Sequence, residues 1–303
     1  MRHILNSFVV LFLKAFARIP FRTIYRISDF LYVILFHVIK YRKKVVYTNL
    51  RNSFPEKGEP EIDRIARGFY HHLCDLFLES NKLYAMTDKD LDERLIVKGL
   101  EKTEAYFREG KSFVLIGMHY NNWEWCSSMQ RQTHHQVLIV FNPVRNNKEM
   151  ERYLLDYREK FGSQTVAINH SARTVLKFNK NGRPTCLFLA ADQTPPKRAH
   201  FWTTFLNQET PFFSGPEHIA AKTNQPVFLL YNRKIERGKY EANLIELVPE
   251  PAKVNPDDIL MAYVDKLEQI IREQPEYWLW SHRRWKHKRP EDTALIPRGM
   301  NEF

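Results

Sequence analysis

Between residues 94 and 232, short runs rich in β-branched and aromatic residues alternate with stretches of helical spacing, and glycines close several of the helices. Arg94 to Val97 leads into a helix to Arg108 with Gly110 as its stop, then Ser112 to Gly117. Gln136 to Phe141 leads into a helix to Phe161 with Gly162 as its stop, then Gln164 to Ile168. A helix ending near Gly182, the run Thr185 to Ala190, a helix after Gly215 and the run Val227 to Asn232 continue the series. Strands that alternate with helices pair in parallel through crossovers, which cover both faces of the sheet. The pattern predicts an α/β fold with a mostly parallel central sheet flanked by helices. Sites in such sheets lie beyond the carboxyl ends of the strands.

The composition is compatible with one large α/β domain or two smaller ones. Of 303 residues, 44% are hydrophobic and 14% aromatic, enough for a sizeable core and too many for a disordered chain. Only 10 Gly and 16 Pro exclude collagen-like or low-complexity structure. Cys74, Cys126 and Cys186 are odd in number and widely spaced, which suggests neither a disulfide framework nor a zinc site, so a reducing compartment and no metal are expected. From Glu61 to Leu78, Ile62, Ile65, Ala66, Phe69, Leu73 and Phe77 fall at helical spacing.

The N-terminus departs from this soluble pattern. Residues His3 to Leu13 carry no formal charge, and a second uncharged run spans Phe30 to Ile39. Each is short for a membrane span, which needs about 20 apolar residues. Lys14, Arg18, Arg22 and Arg26 recur every fourth residue, so on one helix they form a basic stripe beside an apolar face. Lys40, Arg42, Lys43 and Lys44 follow the second run. These features predict a membrane-associated helical segment over residues 1–45, lying on the cytoplasmic leaflet, ahead of a catalytic domain over 46–303. A signal peptide lacks its small-residue cleavage site here. Two ordinary core helices are the plain alternative.

The strand Phe113 to Gly117 is followed by Met118-His119-Tyr120-Asn121-Asn122-Trp123-Glu124. With a helix starting near Asn121 or Asn122, Glu124 sits in its first turn and can fold back toward His119. An imidazole held in one tautomer by a carboxylate is a competent general base near neutral pH.

This His-x-x-x-x-Glu arrangement resembles the signature of the lysophospholipid acyltransferase superfamily. Further segments resemble its branch of lipid A biosynthesis lauroyl and myristoyl acyltransferases. Arg42 to Val46 with Asn49-Leu50 and Phe54-Pro55-Glu56 resembles that branch's N-terminal signature, and Asp192-Gln193 resembles its Asp-Gln element. Thr210 to Pro216 with Ile219-Ala220 resembles its glycine-containing helix start, and Pro275 to Lys286 its C-terminal box.

The resemblance implies that His119 removes a proton from an acceptor hydroxyl, that Glu124 orients His119, and that the hydroxyl attacks an acyl thioester without an acyl-enzyme. The chain has no Gly-x-Ser-x-Gly elbow, and nothing around Cys126 marks a nucleophile. The tetrahedral oxyanion needs a donor. Where the branch carries an aromatic-Arg-Pro triplet, this chain has Phe141-Asn142-Pro143 and then Arg145, so Asn142 and Arg145 are both candidates. Asp192 and Gln193, beyond a strand end, are candidate substrate-binding groups. So are Ser214 and Gly215, where free N–H groups at a helix start suit an anionic head group. Arg283 and Arg284, among Trp278, Trp280 and Trp285, suit the phosphates of a glycolipid or an acidic carrier protein.

The balance of 46 Lys and Arg against 35 Asp and Glu, a formal charge of +11, also permits nucleic acid, but no accompanying nucleic-acid motif supports it. The expected partners are an acyl carrier protein, a lipid acceptor and the inner-membrane surface of a bacterium, with acyl-carrier protein or acyl-CoA as donor and no cofactor. A lipid A precursor is the acceptor that the resemblance favours. An aminolipid or lysophospholipid acceptor, or a membrane-surface binding protein that has lost turnover, are the alternatives.

Overall fold

The computed structural model describes residues 2–298 apart from Arg145 and Arg198, with side chains from Leu5 onward. Five strands run parallel in the spatial order β8 (Val227–Glu236), β2 (Phe113–Gly117), β5 (Thr185–Ala190), β3 (Gln136–Phe141) and β4 (Gln164–Ala167). The expected α/β fold with a mostly parallel sheet is therefore present. At the β8 edge the direction reverses, because β9 (Lys239–Val248) returns from β8 as an antiparallel hairpin and β1 (Leu95–Lys98) pairs parallel to β9. A two-residue turn, Arg237-Gly238, makes that reversal, with Gly238 at φ +76 where side chains are disfavoured.

Helices α6 (Leu100–Arg108), α7 (Lys148–Glu159), α8 (Ser171–Lys180) and α9 (Pro216–Thr223) connect strands, as the sequence pattern predicts. Between β2 and β3 the connection is a 3-10 segment, Glu124–Gln132. All five residues of β2 are buried, and their side chains alternate between two cores. Val114 and Ile116 join Leu50 of α3 (Lys43–Ser53), Phe69 of α4 (Glu59–Lys82) and Tyr263 of α10 (Pro256–Glu273). Phe113 and Leu115 face Trp125, Met129 and Tyr153 on the other side. Each such large apolar side chain contributes about 1.5–3 kcal/mol when fully buried.

The N-terminal segment folds as two helices, α1 (Arg2–Phe16) and α2 (Phe21–Val33). Pro20 separates them, since it lacks an N–H and disfavours a helical conformation at Ile19. The expected single stripe is therefore broken: Lys14 lies in α1, Arg18 in the turn, and Arg22 and Arg26 in α2. Val10 and Leu13 of α1 pack inward, while Leu5, Phe8, Leu11 and Phe12 are each about two-thirds exposed. The second uncharged run ends α2 and continues as a π-helical turn, Ile34–Val38, leaving Phe30, Val38 and Ile39 exposed. At 15 residues α1 is about 22 Å long, short of the roughly 30 Å hydrocarbon core, and no described helix is long and apolar enough to cross a membrane.

Two buried carboxylates on α4 join these helices to the sheet. Glu79 accepts hydrogen bonds from the hydroxyls of Tyr25 in α2 and Tyr240 in β9, at 2.9 and 2.6 Å. Asp75 accepts from the Ser28 hydroxyl at 2.6 Å and from the Arg237 guanidinium. Helix α5 (Asp88–Asp92) then leads to β1, and a small antiparallel hairpin, β6 (Trp202–Phe205) with β7 (Gln208–Pro211), follows β5.

Candidate active site

Strands β2 and β5 pair in parallel with Gly117 opposite Ala190, so His119 and Asp192 leave the sheet side by side, each two residues past the paired end. The close packing here requires a glycine: a Cβ on Gly117 would stand 2.6 Å from the Phe188 ring. The Gly117 carbonyl also accepts from the Tyr263 hydroxyl at 2.9 Å, which fixes the strand end.

Asp192 grips His119 at two points. Its Oδ2 accepts the His119 backbone N–H at 2.9 Å, and its Oδ1 lies 2.7 Å from Nδ1 of the ring. The Trp278 indole N–H also donates to Oδ2, at 2.8 Å. Burial alone raises the pKa of Asp192, but the neighbouring His119 and these three donors outweigh it, so the net shift is downward. An ionised carboxylate only accepts, so Nδ1 carries a proton, and in the neutral ring the lone pair is on Nε2. Nε2 has no hydrogen-bond partner among the described residues, and the ring is stacked edge-on by Trp123 at 4.8 Å between centroids.

The carboxylate expected to orient His119 was Glu124; in the structure that hydrogen bond belongs to Asp192. Asn121 takes a left-handed conformation, φ +51, and the chain then carries Glu124 toward α7. There Glu124 accepts from Arg158 Nη2 at 2.6 Å, from Arg158 Nε at 2.9 Å and from the Tyr157 hydroxyl at 3.2 Å. Burial opposes its charge, yet Arg158 and then His119 draw its pKa downward overall. Glu124 thus anchors an arginine and adds a negative charge near His119 without bonding to it. The turn between them is held from below: Asn121 donates to the Asn232 carbonyl at 2.7 Å, and Asn122 to Glu79 at 3.1 Å. Asn122 also accepts the Trp125 N–H at 3.3 Å, although the cap position of the 3-10 segment is Trp123 and not the expected Asn121 or Asn122.

His119 lines a cavity of about 850 Å³ at the carboxyl ends of β2, β3 and β5, within the usual range for ligand sites. Val140, Leu154, Leu155, Ile168, Leu189 and Phe213 supply apolar wall. Asn142, Gln193 and Arg158 also face it, so one oxyanion candidate and one substrate-binding candidate meet His119 at the same space. Arg145, the other oxyanion candidate, lies outside the described residues.

The remaining candidates are placed differently. At α9, the carboxylate of Glu217 accepts from the Gly215 N–H at 2.9 Å and from the Ser214 hydroxyl, so the chain's own carboxylate takes the position expected for an anionic head group. Arg284 is buried, donates to the Pro211 carbonyl at 2.6 Å and lies 4.6 Å over the Phe212 ring. Burial lowers its pKa to about 10, and it is a core cation rather than a surface one. Arg283 is exposed and gives its carbonyl to Thr194 at 3.0 Å. Cys126 is buried, its thiol pushed up to about 12, which suits a structural residue and not a nucleophile.

The C-terminal box therefore positions the loop that carries Asp192. Besides Trp278, His282 Nε2 accepts the Thr194 backbone N–H at 3.2 Å, which requires a neutral ring. Burial and the nearby Arg284 hold its pKa down to about 4. The folded chain thus takes up this proton less readily than the unfolded chain. Stability from His282 is complete above about pH 6.5 and is lost as the pH falls toward about 4. Thermal melting is expected to fall over that window, and less steeply in His282→Gln; His72 and His135, also held low by burial, retain part of the slope.

Sequence reading missed Arg158, Tyr157, Trp278 and His282 as parts of this assembly. The available signal lay in α7, where Tyr153, Leu154, Tyr157 and Arg158 recur at i, i+1, i+4 and i+5, placing a cation on a face otherwise fit for burial.

A family model described as bacterial lipid A biosynthesis acyltransferase matches residues 1–287. A lipid A biosynthesis lauroyltransferase of Escherichia coli strain K12 is 23% identical over 282 residues, covering 90% of this chain and 88% of the relative. A lipid A biosynthesis palmitoleoyltransferase of the same strain is 19% identical over 259 residues, covering 85% and 83%. A lipid A biosynthesis acyltransferase of Haemophilus influenzae is 21% identical over 282 residues, covering 89% and 84%. A histidine hydrogen-bonded to a buried carboxylate at a strand end, beside a cavity lined by both polar and apolar side chains, is compatible with acyl transfer, and the chain belongs to the bacterial lipid A biosynthesis acyltransferase family.

Proposed function

We propose that this acyltransferase moves a fatty acyl chain from a thioester, carried by acyl carrier protein or coenzyme A, to a hydroxyl of an acylated lipid, a lipid A precursor. The reading is carried by one observation: His119 is held through Nδ1 by a buried carboxylate and opens, with Nε2 unpartnered among the described residues, on a cavity whose lining combines polar groups with Val140, Leu154, Leu155, Ile168, Leu189 and Phe213. The acceptor oxygen attacks the thioester carbonyl carbon as its proton passes to Nε2. The resulting tetrahedral centre expels the thiolate, which takes the proton back from the imidazolium, leaving an ester and a free thiol. Asp192 stabilises the transient imidazolium, and Asn142 and Arg158 stand at the cavity as donors for the oxyanion.

The reaction takes place at the cytoplasmic face of a bacterial inner membrane. Supporting this placement, α1 exposes Leu5, Phe8, Leu11 and Phe12 on one side while its other side packs on α7, which lines the cavity. Contiguous exposed apolar side chains on a helix too short to span suit residence in the interfacial layer. Residues 1–45 supply this attachment and residues 46–303 the chemistry. Incubating purified protein with labelled acyl carrier protein or acyl-CoA and candidate lipid acceptors, with mass spectrometry of the product, tests the reading. Donor-dependent ester formation on a lipid A precursor is expected; thioester hydrolysis alone, or no turnover with any pair, would overturn it.

A further inference from the structure

The C-terminal box was expected to offer arginines to phosphate, but Arg284 is buried and Arg283 does not line the cavity. The residues that reach the cavity are the next in sequence, Lys286 and His287. Lys286 is exposed and has no carboxylate partner among the described residues. Burial first, and then the charges of Lys286 and Lys197, lower the pKa of His287. The cavity lining contributes one carboxylate not already committed to an arginine, Glu151, and its Oε2 accepts the Val144 N–H. An ammonium that borders the cavity without a carboxylate partner is available to an anionic ligand.

From this placement we infer that Lys286 and His287 form a seat for a phosphate ester at the same cavity that His119 lines. The inference rests on the acyl-transfer reading for its substrate and deepens it. A phosphate reaches this cavity from either of two sources, the lipid acceptor or the pantetheine arm of the donor. Both present the same chemistry: a compact anion for which an ammonium and an imidazole N–H are direct hydrogen-bond donors. Seated there, the phosphate fixes the distance between its own substrate and the base.

Two measurements test it. In the first, which needs no turnover, purified full-length protein is treated with an amine-acylating reagent with and without inorganic pyrophosphate at constant ionic strength, and labelling is read by mass spectrometry. Labelling of Lys286 is expected to drop severalfold relative to exposed Lys222, and equal protection of the two would overturn the seat. In the second, KM and kcat of Lys286→Ala and Lys286→Arg are compared with the unaltered enzyme. Loss of a charge-assisted hydrogen bond is expected to raise KM for the phosphate-bearing substrate about tenfold or more in the alanine variant, with arginine restoring most of it.

Substrates lacking phosphate identify the source. If a dephosphorylated acceptor abolishes the difference between enzyme and variant, the acceptor supplies the anion; if an acyl-pantetheine donor does, the donor supplies it. A KM change that persists undiminished with both phosphate-free substrates, or no change with either intact one, would overturn the inference. Protection by pyrophosphate without turnover on any substrate pair would leave the seat standing and remove the acyl-transfer reading.

Discussion

Replacing His119 with alanine is expected to lower acyl transfer by about 10²–10⁴-fold, the usual range for loss of a positioned general base. In barrier terms this is about 2.7–5.4 kcal/mol. Folding is expected to survive, because the backbone N–H of residue 119 still donates to Asp192 and the turn beyond it is held by Asn121 and Asn122. Circular dichroism and thermal melting should therefore match the unaltered protein while initial rates collapse. Near-normal turnover in a correctly folded His119→Ala protein would remove His119 from the chemistry.

Asp192→Asn is expected to produce a loss of similar size by a different route. The two donors to Oδ2, the His119 N–H and the Trp278 indole, can both be satisfied by an amide oxygen, so the backbone geometry is retained. The amide nitrogen then faces Nδ1 of His119 and donates to it. That forces the proton onto Nε2, where the base is needed, a tautomer error worth about 10⁴-fold in the best-studied hydrolase triad. Glu124→Gln provides the contrast. Its partner is Arg158, and no hydrogen bond joins it to His119, so its loss is expected to be smaller and to be accompanied by a lower melting temperature as Arg158 loses its counter-charge. Equal rate losses in Asp192→Asn and Glu124→Gln, with unchanged melting in both, would contradict this division of roles.

The sheet was legible because its strands are buried on both faces, which turns each one into an uninterrupted apolar run such as Phe113 to Gly117 or Thr185 to Ala190. Strand β9 and the β6–β7 hairpin were not. The turn between β6 and β7 uses Leu206 and Asn207, both at positive φ, in place of the glycine that usually marks such a reversal. His119 could be singled out from its place at a strand end. Its partner could not be settled from sequence, because Glu124 is five residues away along the chain while Asp192 is 73 residues away and becomes a neighbour only through the register of β2 with β5. Proximity in sequence favoured the wrong carboxylate for the hydrogen bond. In the same way, nothing in Arg283-Arg284-Trp285-Lys286 indicates which cation is drawn into the core; Phe212 and the Pro211 carbonyl decide it.

The buried Glu79 ties the amino-terminal helices to the turn that carries His119. This carboxyl group is raised in pKa by burial and is sheltered by Tyr25 from one side, while from another it holds Asn122, three residues past the base. Displacing α2 from α4 would wet Glu79 and loosen Asn122, and with it the turn that aims the His119 ring. The seating of the amino-terminal helices and the direction of that ring are mechanically one thing.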